Sequence, residues 1–230
     1  MVKARAQHGA WERFQHREAL VTSAIARKLI DSVSQQQAPL AAQRTSAVEQ
    51  RLQRVLAAFA EERLGTQHFA SLTGYGHGDQ GRDLVDRVFA RVLGAEAAAV
   101  RMQFVSGTHA ITAALFGVLR PGDRLLSITG RPYDTLEEVI GLRGTGQGSL
   151  ADFGIDYDEV PLTPEGVVDR VGLDQALAVP QRMVLIQRSC GYSWRPSLSV
   201  KEIGELCALI HARQPDCICF VDNCYGELVQ

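Results

Sequence analysis

Short apolar runs alternate with helical patterns along most of the chain after residue 97. Five runs have the length and composition of buried strands: Ala98–Met102, Leu125–Ile128, Ile155–Val160, Met183–Gln187 and Ile218–Val221. Helical periodicity fills four of the intervening segments: Thr108–Leu119, Thr135–Gly141, Pro164–Ala178 and Ser199–Arg213. Repeated strand–helix–strand units predict an α/β fold with a mostly parallel sheet covered by helices on both faces.

The first part of the chain has a different pattern, with few helix breakers. Its apolar residues recur at helical spacing, as at Leu52, Val55, Leu56 and Phe59. We predict two helices joined near Gln37–Pro39. The sequence therefore divides into a helical segment, residues 1–70, and a larger α/β domain, residues 71–230.

A glycine-rich stretch opens the larger domain at Thr73–Arg82. Four glycines in this stretch favour an extended loop with unusual backbone angles. Asp79 has the residue type and position of a helix N-cap, and we predict that it caps a helix reaching about Leu93.

Composition and charge exclude several classes of function. The formal net charge of -2 provides no field to attract nucleic acid. The apolar side of Glu18–Val33 is interrupted by Arg27 and Lys28, which predicts neither a signal peptide nor a membrane span. Five cysteines, all after residue 189, do not suggest a secreted disulfide scaffold. We expect a cytoplasmic protein.

Cys217 and Cys219, with Cys224 nearby, are the residues that most resemble a metal site. Alternate positions on a strand point to opposite faces, and no histidine has suitable ligand spacing. We therefore predict no bound metal, and interpret these cysteines as small buried apolar residues.

Polar residues of the types that bind ligands or catalyse reactions follow several predicted strands. Ser106-Gly107-Thr108 opens a helix, where free amides, a glycine and two hydroxyls would cradle a phosphate. By itself this motif is also an ordinary N-cap. Tyr133 follows the next strand, and its ring would stack on a flat cofactor or pack on the rim of the sheet.

Gln187–Pro196 is a polar and aromatic segment at the end of another strand. Arg188 or Arg195 would bind a substrate carboxylate, and Gln187 or Ser189 would contact a ring hydroxyl. Either arginine would equally serve as an ordinary surface residue.

Asp222 ends the last apolar run, and Tyr225 follows three residues later. A buried acid with a phenol beyond it would hold a pyridinium nitrogen and a neighbouring ring hydroxyl, a pair that suits pyridoxal 5'-phosphate. The chain contains three lysines, Lys3, Lys28 and Lys201, and none follows Asp222.

With these motifs in order, the chain resembles the fold-type I pyridoxal-phosphate enzymes, and most closely the methionine gamma-lyase-like family, also called aluminium-resistance or cystathionine beta-lyase-related proteins. The resemblance runs from about Arg51 to the end of the sequence. Its most specific stretches are Ser71–Arg82, Phe104–Ala110, Thr129–Gly141, Gln187–Pro196 and Phe220–Glu227.

The resemblance implies an aspartate aminotransferase-like large domain and a role for each matching residue. Ser106, Gly107 and Thr108 would hold the phosphate, Tyr133 would stack on the ring, and Asp222 would pair with the pyridinium. Tyr225 would reach the ring hydroxyl. Tyr75 and Arg82 would contact the cofactor of a neighbouring subunit in a homo-oligomer, a dimer or tetramer.

The reaction implied is beta or gamma elimination on a sulfur-containing amino acid such as methionine or cystathionine. In this family the Schiff-base lysine follows the pyridinium aspartate and a small domain comes after it, so we expect the sequence to be incomplete at its C-terminus. This chain would then bind cofactor weakly without turnover. Alternatives are another fold-type I reaction, such as transamination, or a non-catalytic remnant that binds a partner through its N-terminal helices.

Overall fold

The computed structural model describes residues 23–72, 75, 77–144, 147–191 and 193–228. The chain divides into two compact units, residues 1–70 and 71–230. In the first unit, helix α1 spans Ala24–Glu61, and a 3₁₀ turn spans Thr66–Phe69. The helical prediction for residues 1–22 lies outside the described residues.

Helix α1 is continuous, so the predicted break near Gln37–Pro39 is wrong. Pro39 lies inside the helix. A proline there costs about 3 kcal/mol because it removes one backbone donor and crowds the preceding turn. The neighbouring glutamines and alanines are good helix formers, and helical hydrogen bonding continues on both sides. Ser23 caps the start of α1 by accepting a hydrogen bond from the Ala26 amide at 3.2 Å.

The second unit alternates helices and strands. In chain order the elements are α2 (Gln80–Leu93), α3 (Gly107–Val118), β1 (Arg124–Ser127), α4 (Asp134–Ile140), β2 (Asp156–Glu159), α5 (Arg170–Ala176), β3 (Met183–Gln187), α6 (Val200–Arg213) and β4 (Ile218–Asp222). The predicted cap of α2 is confirmed, because the Asp79 carboxylate accepts from the Arg82 amide at 2.9 Å. In the glycine-rich loop before it, Thr73, Gly74 and Gly76 lie outside the described residues.

The four strands form one parallel sheet in the order β2-β1-β3-β4, which confirms the predicted α/β architecture. Side chains alternate between two cores. On one face, Leu125 and Leu185 pack with α3 and α4. On the other, Leu126 and Val184 pack with α5 and α6. Because strands β1 and β3 are covered on both faces, β3 is apolar up to Gln187, and β1 has two leucines at its centre.

Two predicted elements differ from the structure. Ala98–Met102 is not a strand, and Met102 is 94 % exposed. The Val100 amide donates its hydrogen bond to the Asp86 carboxylate, at 2.7 Å, and not to a neighbouring strand. The helix predicted over Pro164–Ala178 is shorter, because a tight turn between Thr163 and Val167 precedes it.

All five cysteines are free thiols. The Cys219 sulfur lies 3.7 Å from His211 Nε2, a neighbour that the sequence spacing did not suggest. Within the described ranges, no three side chains of metal-binding type cluster closely enough to hold an ion. The same ranges contain no helix with both the length and the apolar character needed to cross a membrane.

Candidate active site

A cleft of about 570 Å³ lies at the carboxyl ends of the strands, where ligands bind in open α/β sheets. It is lined by the start of α3, by Tyr133, by the segment after β3 and by the end of β4 with its following loop. The lining residues are Gly107, Thr108, Ala110, Ile111, Ala114, Tyr133, Gln187, Ser189, Gly191, Phe220, Val221, Asp222, Asn223, Cys224, Tyr225 and Glu227.

The N-terminus of α3 forms one end of this cleft. Ser106 caps the helix, and its hydroxyl accepts from the His109 amide at 3.1 Å. Gly107 faces open space, because a Cβ built on it would meet no atom within 4 Å. The backbone amides of the first turn have no helical partners of their own, so this end of the cleft favours an anion. Ser106 itself is not among the lining residues.

Tyr133 joins the start of α3 to the start of α4. Its hydroxyl lies 3.2 Å from the Thr108 hydroxyl, which is also 3.2 Å from the Thr135 hydroxyl. Burial is the main cause that raises the pKa of Tyr133, and the nearby negative charge of Asp222 adds to the increase. The ring is therefore a neutral, partly buried surface beside the Asp222 carboxylate.

Asp222 lies at the last position of β4, opposite Gln187 of β3, and is 8 % exposed. One carboxylate oxygen accepts from the Cys224 amide at 3.2 Å. Burial raises the pKa of Asp222 despite this hydrogen bond, and Glu227 raises it further. No salt bridge to Asp222 occurs among the described residues. A cation placed in the cleft would therefore stabilise the ionised carboxylate.

The loop after β4 supplies residues that sequence reasoning missed. Asn223, Cys224 and Glu227 line the cleft together with the predicted Tyr225. Tyr225 has a φ of 71° and is 82 % exposed, an unusual backbone conformation for a non-glycine residue. The sequence signal that could have identified Asn223, Cys224 and Glu227 was their position soon after Asp222. Residues that follow the carboxyl end of a strand lie at the same edge of the sheet as that end.

Arg188 lies beneath this loop and does not line the cleft. It is 7 % exposed, and its guanidinium donates to the Leu198 carbonyl at 2.9 Å, to Asn223 Oδ1 at 2.8 Å and to the Gly226 carbonyl at 2.5 Å. These bonds tie the segment after β3 to the loop after β4. The structure thus places Arg188 as a support for the cleft.

A second cleft, of about 700 Å³, adjoins the first and shares Tyr133, Gln187 and Gly191 with it. Arg195 lines the second cleft. Gln187 borders both, whereas Ser189 lines only the first of these two clefts. The structure therefore separates the two arginines that the sequence offered as equivalent candidates.

The remaining predicted site residues lie elsewhere. Tyr75 is 84 % exposed, and the Arg82 guanidinium lies 3.6 Å from the Asp79 carboxylate. Neither lines the Asp222 cleft. No lysine is among the described residues that line either cleft. Thr135, which hydrogen-bonds Thr108, was not predicted, because its contact depends on the packing of α3 beside α4.

Comparison with known proteins identifies the family. The sequence model of the family described as methionine gamma-lyase matches residues 26–230. The chain belongs to the methionine gamma-lyase family. This match extends over the whole of the α/β domain and most of α1, and the resemblance drawn from the sequence motifs is confirmed.

Similar proteins of this family include the Bacillus subtilis protein YnbB, which is 49% identical over 178 residues, 77% of this chain and 42% of that protein. A candidate cystathionine beta-lyase involved in aluminium resistance, from Listeria innocua, is 47% identical with a TM-score of 0.86 over 91% of this chain and 51% of that one. A carbon-sulfur lyase involved in aluminium resistance, from Clostridium novyi, is 40% identical with a TM-score of 0.87, covering 93% and 51%.

The chain spans about half the length of these family members. The fold is shared more widely. A pyridoxal-5'-phosphate-dependent protein from Escherichia coli, YhfS, superposes with a TM-score of 0.53 at 20% identity, covering 76% of this chain and 43% of that one. The α/β unit thus has the fold of the pyridoxal-phosphate-dependent enzymes.

Proposed function

We propose that this chain forms the pyridoxal-phosphate site of a carbon–sulfur lyase acting on a sulfur-containing amino acid such as methionine or cystathionine. The observation that carries the proposal is Asp222, a buried carboxylate at the end of β4 in a cleft that begins at the N-terminus of α3. The named activities of the Listeria and Clostridium relatives support the choice of a lyase.

The residues of the cleft fit this cofactor. A volume of about 570 Å³ lies within the range of small-molecule and cofactor sites. The amides at the start of α3 and the Thr108 hydroxyl would hold the phosphate, and Ser106 would act by fixing the first turn of the helix. Ile111, Phe220 and Val221 supply an apolar wall for the ring.

When bound, pyridoxal phosphate would withdraw electrons from the α-carbon of an amino acid joined to it through the amino nitrogen, which would permit elimination of the sulfur group. Asp222 would keep the ring nitrogen protonated, and the positive nitrogen would in turn favour the charged carboxylate. Tyr133 would position the ring through contact with its face, held by Thr108. Tyr225 would approach the ring hydroxyl from the loop after β4.

The amino group that binds this cofactor covalently in related enzymes has no counterpart among the described residues lining the cleft. We propose that this chain by itself binds the cofactor reversibly and does not turn over. The exposure of Tyr75 is consistent with a role at a neighbouring subunit's cofactor in a homo-oligomer. The free thiols are consistent with a cytoplasmic location.

The test is a titration of the purified chain with pyridoxal phosphate, followed by visible absorbance. Asp222→Asn should weaken binding at least about tenfold, because it removes one charge-assisted hydrogen bond. Asp216→Asn, the same change at an exposed position before β4, is the matched control and should bind as the unsubstituted chain does. No spectral response to the cofactor, or equal affinities of the two variants, would contradict the proposed site.

A second measurement addresses the reaction. After borohydride reduction of the cofactor-loaded chain, an unchanged intact mass is expected, because none of the described residues that line the two clefts is a lysine. Incubation with cystathionine should release no thiol, ammonia or keto acid. Release of all three products by the purified chain would refute the absence of turnover, whereas amino-group exchange would indicate a transaminase.

A further inference from the structure

The second cleft contains a cation that has no carboxylate partner among the residues that the structure describes. Arg195 is only partly exposed, and its guanidinium donates to the carbonyls of Pro196 at 3.0 Å, Gln187 at 2.9 Å and Ser189 at 2.5 Å. No carboxylate of a described residue lies within salt-bridge distance of it. Burial lowers the pKa of Arg195, so its charge would gain from an anion in the cleft.

Two of the other three charged residues that line this cleft are in ion pairs, whereas Glu159 is in no ion pair with a described residue. Arg131 pairs with Glu137, whose carboxylate is 2.5 Å away, and Asp134 lies 3.8 Å from Arg143. Glu159 accepts a hydrogen bond from the Tyr157 hydroxyl at 2.9 Å and lines the cleft. The cleft therefore offers a guanidinium for a carboxylate and a carboxylate for an ammonium group.

Arg195 is also held in a fixed position. The turn before α5 packs on its stem, because a Cβ built on Gly166 would lie 3.2 Å from Arg195 Cβ. Gly166 has a φ of 76°, which favours glycine there. Three backbone carbonyls also orient the guanidinium by accepting its hydrogen bonds. A preorganised guanidinium loses little conformational entropy when it binds a carboxylate.

The two clefts adjoin each other at shared residues. Tyr133, Gln187 and Gly191 line both. A substrate bound at the cofactor in the first cleft would therefore extend past Tyr133 into the cleft of Arg195. Methionine ends in a methyl group and would leave Arg195 unpaired there, whereas a thioether with a second amino-acid end would place a carboxylate and an ammonium group in the second cleft.

Resting on the function proposed above, we propose that the second cleft binds the distal amino-acid end of a thioether substrate, with Arg195 holding its carboxylate and Glu159 its ammonium group. The substrate class is then a thioether that joins two amino acids, of which cystathionine is the available probe. Arg195 acts as a residue that determines specificity, at a distance from the reacting bond.

The test is calorimetric binding of cystathionine and of methionine to the chain, with and without pyridoxal phosphate. Arg195→Gln should weaken cystathionine binding at least about tenfold, the typical effect of losing a charge-assisted pair, while leaving methionine and cofactor binding unchanged. Arg182→Gln, at an exposed position, is the matched control and should change none of these affinities.

Equal weakening of both ligands would overturn the proposal, since Arg195 would then hold the carboxylate that they share. Unchanged cystathionine binding would overturn it as well. If Arg195→Gln does not fold, the proposal can be tested with the unsubstituted chain and two ligands. Cystathionine should bind at least about tenfold more tightly than an analogue whose distal carboxylate is a carboxamide. Equal binding of these two ligands would refute the site. Failure of the chain to bind pyridoxal phosphate would refute the proposed function. The Arg195 site would still be tested separately, by the binding of cystathionine to the cofactor-free chain.

Discussion

Replacing Arg188 with methionine tests whether this residue supports the cleft or binds a ligand. Methionine retains an unbranched apolar stem of similar length but has no donor groups. The change leaves the carbonyls of Leu198 and Gly226 and the amide oxygen of Asn223 without the hydrogen bonds that they accept from Arg188. At about 1 kcal/mol for each lost bond, the free energy of unfolding should fall by about 3 kcal/mol. That is a large fraction of the stability of an ordinary domain.

The assay is urea denaturation of the cofactor-free chain together with its thermal midpoint. A loss of 3 kcal/mol corresponds to a decrease of about 6–12 °C in Tm for a domain of this size. Arg182→Met, with the same chemical change at an exposed site, should shift the free energy of unfolding by less than about 0.5 kcal/mol. The structural role is refuted if Arg188→Met is as stable as the control, and a selective loss of amino-acid binding would then identify Arg188 as a ligand-binding residue.

Three further predictions concern the cleft and its support. Tyr133→Phe removes the hydrogen bond to Thr108 but keeps the ring, so a fluorescence titration should show cofactor affinity reduced by less than about tenfold. The pKa of Asp222 is raised above 3.8 in the folded chain, so cofactor-free stability should fall as pH rises from about 4 through the folded pKa, and denaturation of Asp222→Asn should lack this decrease. Leu115→Ala, at a position of 0% exposure on the buried face of α3, should cost about 2–5 kcal/mol in chemical denaturation.

The sequence pattern predicted the sheet well where strands are buried on both faces. The runs around Leu125 and Val184 became β1 and β3 because continuous apolar sequence has few other stable placements. The run around Val221 became β4, whose first four residues are only partly buried. The same reasoning failed at Ala98–Met102, where an apolar run is exposed and Asp86 supplies the hydrogen bonds. A side chain twelve or more residues away from the run leaves no local signal.

Asp222, Tyr133 and Thr108 were predicted to meet because each follows a strand or opens a helix at one edge of the sheet, and all three line one cleft. The sequence did not separate Arg188 from Arg195. The two arginines donate to different backbone carbonyls, and the loops after β3 and β4 set the directions of these carbonyls. Residue type carries no information on those directions, so the choice between the two required the folded structure.

Leu125 and Leu126 are consecutive in the chain but belong to separate cores. Substitutions at the two positions should therefore disturb different sets of packing partners, one on each face of the sheet. Packing changes on one side of the sheet should therefore need no compensating changes on the other. Selection for a different ligand would then act on the side chains beneath α3 and α4, while the side chains beneath α5 and α6 drift independently.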